Sequence, residues 1–144
     1  TTIVDVWMHE DIRYLDERLY RKGMTNDEIA KFIKDNMNPR EKIIADSAEP
    51  KTIQDIANYG FRIKGADKGK DSVMFGISLM QEQKFLVTKQ STNLIKELRS
   101  YTWDTSKTGE RLNKPIDAFN HGIDAMRYFA MMKLNTNNGN YDIR

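Results

Sequence analysis

The sequence predicts an α/β domain, a mixed sheet with helices packed over it. Three observations carry this. The chain opens with strict alternation, placing Ile3, Asp5 and Trp7 on one face of a strand and Val4, Val6 and Met8 on the other. Short apolar runs then alternate with helices that have recognisable starts and stops. No repeat or linker interrupts the 144 residues, so 1–144 is read as a single domain.

The elements follow in order. His9-Glu10-Asp11 is a polar turn, and Ile12 to Arg21 is a second strand. So short a link favours an antiparallel hairpin. Thr25 opens a helix with Glu28 three residues later, a capping box, and Ile29, Phe32 and Ile33 form its apolar stripe. Asn36 to Pro39 end it. Lys42-Ile43-Ile44-Ala45 is a short buried strand that runs into Asp46-Ser47-Ala48-Glu49-Pro50. Pro50 suits the first turn of a helix faced by Ile53, Ile56 and Ala57, and Gly60 stops it. Phe61 to Gly65 is a strand. Asp71 or Ser72 caps a helix running to Met80, and Phe85-Leu86-Val87 is the last short strand. Ser91 caps a helix carrying Leu94, Ile95, Leu98 and Tyr101. The polar, basic stretch from Trp103 to Lys114 reads as a mobile loop. Pro115 then starts a long helix ending near Asn135, with a frayed tail behind it. Short strands between helices suggest parallel crossovers, which put a site at the C-terminal ends of strands. Asp46 occupies such an end.

Composition narrows the function classes. At 39% hydrophobic and 10% aromatic the chain has the means to build a core. It has no cysteine, which excludes a disulfide framework, a zinc knuckle and a thiol nucleophile. No apolar run approaches the ~20 residues of a transmembrane helix, and no signal peptide opens the chain. No membrane partner is expected. A net charge of +2 is too near zero to name a partner. The opening Thr1-Thr2-Ile3-Val4 lacks an initiator Met, so the chain is read as a piece of a longer protein.

Three groups of residues could carry chemistry. Asp117, His121 and Asp124 stand at i, i+4 and i+7, which at about 100° per residue is one narrow stripe of a helix. The stripe continues into Tyr128 and Met131, so it goes under cover. It suits a ligand edge, but on spacing alone the plainer reading leads: an amphipathic helix with charged residues near its N-terminus, where the helix dipole favours carboxylates. Asp46, with Glu49 close by, is a turn former or a hard-cation ligand at the sheet edge. Two-metal phosphodiester hydrolysis needs carboxylates from different elements, with ions ~3.5–4 Å apart. Asp46 and Asp124 meet that need if the fold joins them. Arg62, Lys64, Lys68 and Lys70 cluster around Gly65 and Gly69, and Lys107, Arg111 and Lys114 flank the late loop. Such patches contact phosphates without reading sequence, or simply solubilise. Gly69-Lys70-Asp71-Ser72 lacks the glycine spacing of a P-loop.

Three stretches together point to a family. They are Ile44-Ala45-Asp46-Ser47-Ala48-Glu49-Pro50-Lys51, Gly65-Ala66-Asp67-Lys68-Gly69-Lys70-Asp71-Ser72, and Asn120-His121-Gly122-Ile123-Asp124-Ala125-Met126-Arg127-Tyr128. In this order the chain resembles the C-terminal nuclease domain of tailed-bacteriophage or prophage terminase large subunits. The resemblance extends to Asp16-Glu17, Thr25-Asn26-Asp27-Glu28-Ile29 and Trp103-Asp104.

The resemblance implies a ribonuclease H-like fold and a metal-dependent DNA endonuclease that cuts concatemeric viral DNA during packaging. It implies two Mg²⁺ or Mn²⁺ ions, with Asp46 and Asp124 as ligands and His121 as ligand or proton handler. It places Lys68 and Lys70 in a turn near the site, as contacts to DNA phosphates. The implied partners are double-stranded DNA, the portal protein and the terminase small subunit. The implied location is the cytoplasm of the infected or lysogenic bacterium, and transiently the procapsid portal. One departure stands out. The family's first catalytic Asp lies on a strand that precedes a segment like Thr2-Ile3-Val4-Asp5-Val6, and Asp5 does not match it. The fragment is therefore expected to lack its first strand and one metal ligand, which leaves an open sheet edge and room for a homo-oligomer. Two other readings remain: another ribonuclease H-like nuclease such as a Holliday-junction resolvase, or a non-catalytic packaging assembly module.

Overall fold

The computed structural model describes residues 1–69 and 71–134. Lys70 and the tail 135–144, expected to fray, lie outside the described residues.

β1 (Thr2–His9) and β2 (Ile12–Tyr20) form the expected antiparallel hairpin, and His9 pairs with Ile12 across a two-residue turn. Both turn residues, Glu10 and Asp11, take positive φ (49° and 62°), as a turn that follows the strand twist requires. A bulge between Ile3 and Val4 shifts the register, so that Val4 pairs with Glu17. Ile3 then joins the core on one side of the sheet, and Val4 and Val6 the core on the other.

α1 (Asn26–Asn36) starts with the predicted reciprocal capping box between Thr25 and Glu28. β3 (Lys42–Ala45) leads through the Asp46 turn to α2 (Pro50–Asn58), with Pro50 in its first turn. β4 (Arg62–Gly65) pairs parallel with β3, as a crossover through a helix demands. α3 (Ser72–Gln81) follows, then β5 (Phe85–Val87), which pairs parallel with β2. α4 is Thr92–Ser100. Its N-cap Ser91 does not bond the helix as predicted. Its hydroxyl accepts from the Glu17 amide (2.8 Å), while the Glu17 carboxylate accepts from Leu94 N–H (2.7 Å).

The C-terminal third departs from expectation. Trp103 to Lys114 is a hairpin, not a loop: β6 (Trp103–Thr105) pairs antiparallel with β7 (Arg111–Pro115). The Arg111 guanidinium lies 4.8 Å from the Trp103 ring centroid, and Gly109 supplies the positive φ of the turn (86°). Pro115 pairs with Trp103 at the end of β7 and starts no helix. α5 (His121–Lys133) begins six residues later. Phe119, at φ 50°, takes the left-handed conformation that a continuous helix from Pro115 would forbid.

Helices cover both faces. Leu15, Leu94 and Met126 centre one core between the sheet and α3, α4 and α5, and Ala30, Ile33 and Ile56 centre another under α1 and α2. The sheet itself is split into β5-β2-β1 and β3-β4. Among the described residues nothing pairs with the second edge of β1 or of β3, and α5 packs against both strands. A cleft of ≈ 870 Å³ lies between them, lined by Thr2–Val6, by Ile43–Asp46 and by residues of α1, α2 and α5.

Gly76 in α3 is a point of close approach. A Cβ there would sit 2.3 Å from Arg127 Cγ and 2.9 Å from its Cδ, with Arg127 buried. Gly76→Ala should therefore cost about 1–3 kcal/mol through overpacking. Denaturant unfolding reads this as a lower midpoint at constant slope.

Candidate active-site cleft

Asp46 leaves β3 at its C-terminal end, where the chain turns towards α2. Its Oδ1 accepts from Ala48 N–H (2.9 Å), which fixes the side chain in an Asx turn. The same oxygen is ion-paired with Lys68 Nζ, reached from the segment after β4. Lys68 Nζ also lies 4.9 Å from the centroid of Tyr128 of α5. Tyr128 is buried, and the Arg127 guanidinium lies at the same 4.9 Å from its centroid. Arg127 in turn donates to Asp124 Oδ1 (3.0 Å), three residues earlier on the helix. Two carboxylates from different elements are thus each held by a cation, and both cations rest on one tyrosine ring.

The electrostatics follow. Burial pushes the Asp46 carboxyl up, but Lys68, the Ala48 amide and Tyr128 outweigh it and hold it below the ordinary aspartate range. Burial works to lower Lys68, yet Asp46 and Tyr128 keep it raised. Burial raises the Tyr128 phenol against the opposing pull of Lys68, and Asp124 and Asp46 raise it further. Burial also raises Tyr101, with Asp124 as the next contributor.

The structure brings Asp46, His121 and Asp124 to the lining of one cleft. It does not bring Asp117 there. Asp117 precedes α5, so the predicted three-residue stripe reduces to His121 and Asp124, one turn apart. His121 is exposed, and its ring meets Tyr20 edge-on at 6.1 Å. Lys68 contacts Asp46. Lys70, its expected companion, is outside the described residues.

Sequence reasoning missed Arg127, Tyr20 and Glu97. Glu97 accepts from three backbone amides at the start of α5. One signal was available: Glu97 follows Leu94 by three residues and shares its apolar stripe.

Two carboxylates and an imidazole are the right donors for a hard divalent cation. Among the described residues, however, no three His, Cys, Asp or Glu side chains are gathered closely enough to hold one. The donor chemistry fits, and the gathering is incomplete.

A family model described as the terminase RNase H-like domain matches residues 2–131. The large terminase subunit of Bacillus phage SPP1 is 36% identical over 103 residues, spanning 69% of this chain and 24% of that protein. The PBSX phage terminase large subunit of Bacillus subtilis is 30% identical over 116 residues, spanning 80% and 27%. The chain thus spans about a quarter of the length of these relatives. Among solved structures, the nuclease domain of the SPP1 large terminase, crystallised with bound Mn, superposes with a TM-score of 0.78 at 30% identity. That match covers 88% of this chain and 75% of the other. The large terminase of a thermophilic bacteriophage shares the fold at a TM-score of 0.73 and 23% identity, over 92% of this chain and 36% of that one.

Helices on both faces of a mixed sheet, together with the family model over residues 2–131 and the superposition on the SPP1 domain, make this a ribonuclease H-like domain. The chain belongs to the terminase RNase H-like domain family, the nuclease part of phage terminase large subunits.

The Lys68 pair carries a pH signature. Asp46 titrates lower in the folded state than in the unfolded one. Its contribution to stability is present above the unfolded pKa and is lost as pH falls through the lowered folded value. Lys68→Ala should move the Asp46 titration upwards, read by carbon-detected NMR of its carboxyl. An unmoved titration would show that Lys68 is not what holds it down.

Proposed function

We propose that this chain is the DNA-cutting part of a terminase large subunit, a metal-dependent endonuclease acting on concatemeric viral DNA during packaging. The observation that carries the reading is the meeting of Asp46, from the end of β3, with Asp124 and His121, from α5, at one cleft of a domain in this family. Asp46 and Asp124 would hold the metal, with His121 as a further ligand or proton handler. The expected cofactor is a pair of Mg²⁺ or Mn²⁺ ions, and the manganese in the SPP1 relative supports the class of ion. Bound, such ions activate water and stabilise the leaving oxygen of an in-line displacement. The chain's own contribution is placement and charge. The Asx turn and Lys68 keep Asp46 ionised at the cleft. Lys68, part-exposed beside it, offers an ammonium to a DNA phosphate, and Lys70 is its proposed neighbour.

On this reading the active domain holds one more strand, between β1 and β3, bearing the remaining acid. The unpaired edges of both strands along the cleft support it, as does the incomplete gathering of acids among the described residues. The wider assembly, with portal protein and small subunit at the procapsid in the host cytoplasm, belongs to the same proposal. The incomplete gathering also favours a second reading, a non-catalytic assembly module.

Plasmid nicking with Mn²⁺ tests the proposal, comparing residues 1–144 with a version extended upstream by one strand. The extended protein is expected to nick, and Asp46→Ala and Asp124→Ala each to lose about 100-fold or more. Four-way junctions cut in preference to linear duplex would point to a resolvase. A folded extended protein that binds partner subunits and cuts nothing would point to the assembly module.

A further inference from the structure

The first turn of α5 has no cap of its own, since Asn120 makes no side-chain bond to the helix. Its amides go instead to one carboxylate of α4. Glu97 Oε1 accepts from His121 N–H (3.0 Å), and Oε2 accepts from Gly122 N–H (2.7 Å) and Ile123 N–H (3.1 Å). The Tyr20 hydroxyl, from the end of β2, donates to Oε1 as well (2.7 Å). Glu97 is 3% exposed, so this carboxylate is out of water and held by four donors. Burial, with Glu97 beside it, pushes the Tyr20 phenol up to about 12, so the phenol stays a donor. Gly122 makes the approach possible. A Cβ there would lie 3.1 Å from Glu97 Oε2 and 2.8 Å from Leu94 Cδ1.

This grip falls on the turn that carries His121 and Asp124. The carboxylate bonds the amide of His121 itself, and the tyrosine it holds sets its ring against the His121 ring. A change at Glu97 therefore displaces both cleft residues together. The cost would be catalytic as well as structural, because angstrom-scale misplacement of reacting groups is enough to slow chemistry.

We propose that Glu97, with Tyr20, is a positioning residue for the cleft, fixing the first turn of α5 so that His121 and Asp124 point into it. The proposal rests on the nuclease reading for its catalytic consequence. Its test uses the upstream-extended protein with Glu97→Gln, which keeps the shape but turns one acceptor into a donor, and Tyr20→Phe, which keeps the ring. Three quantities are read besides the thermal midpoint: Mn²⁺ affinity, kcat against KM for nicking, and the His121 imidazole resonances without metal. His9 is the other histidine of the chain and serves as internal reference.

Glu97→Gln is expected to lower Mn²⁺ affinity and kcat by about 10- to 100-fold, with KM for DNA within about twofold. The His121 resonances should move and those of His9 stay. Tyr20→Phe should shift the same quantities in the same direction by less. A folded Glu97→Gln protein with a lower thermal midpoint but unchanged affinity, kcat and His121 resonances would reduce Glu97 to a helix cap and overturn the proposal. If Glu97→Gln does not fold, Tyr20→Phe decides on the same three quantities. Wild-type protein that neither binds Mn²⁺ nor nicks defeats the nuclease reading instead, and the metal-free resonances still judge the positioning.

Discussion

The arrangement depends on one buried carboxylate at the start of α5. That helix lies against both β1 and β3, the facing edges of a sheet that is otherwise in two pieces. It also packs on α3 and α4. Where its first turn sits decides where the cleft's acid and imidazole sit. A helix N-terminus exposes amides that need acceptors, and a negative charge there is favoured by the aligned peptide dipoles. Glu97 meets both needs from a neighbouring helix. α4 is started in the same manner, by Glu17 of β2 accepting from Leu94 N–H. The two hand-offs run in series, from sheet to α4 and from α4 to α5. The position of Asp124 is thereby tied back to the strand that carries Glu17.

The cleft's charge balance is local. Lys68 answers Asp46 and Arg127 answers Asp124, with Tyr128 beneath both cations. The two pairs differ in their surroundings. Lys68 and Asp46 are part-exposed, so solvent screens much of their attraction. Arg127 is 5% exposed, and its stem fills the space that Gly76 leaves open. One pair can exchange with water and solutes at little cost, while the other is built into the interior.

Much of the fold was legible because its signals are local. The capping box at Thr25, the proline at the start of α2 and the alternation in β1 each act within a few residues. Asp46 was legible for the same reason, as a carboxylate directly after an apolar strand and before a helix. The hairpin β6–β7 was not, because its polar residues carry no alternation, and the cross-strand Arg111–Trp103 contact and the left-handed Gly109 that accompany its pairing emerge only in the fold. Pro115 misled for a related reason. Proline suits a helix start and a strand end equally, and only the left-handed Phe119 downstream decides between them. Glu97 stands on the apolar stripe of α4 with Leu94, which marks it for burial but not for a role. Its role depends on amides 24–26 residues further on, which no local pattern reveals.

The buried Arg127 has one further consequence. Among the described residues its Nε lacks a partner, and its hydrogen bonds go to Asp124 and the Met131 sulfur. A solute that draws Asp124 away leaves a guanidinium stranded out of water, a penalty of several kcal/mol for an uncompensated buried ion. A singly charged ion offers the carboxylate no more attraction than the guanidinium already gives. A doubly charged one offers about twice as much at the same distance. The resident arginine thus sets a threshold at Asp124: whatever takes its place beside that carboxylate must outweigh the cost of the buried cation it strands.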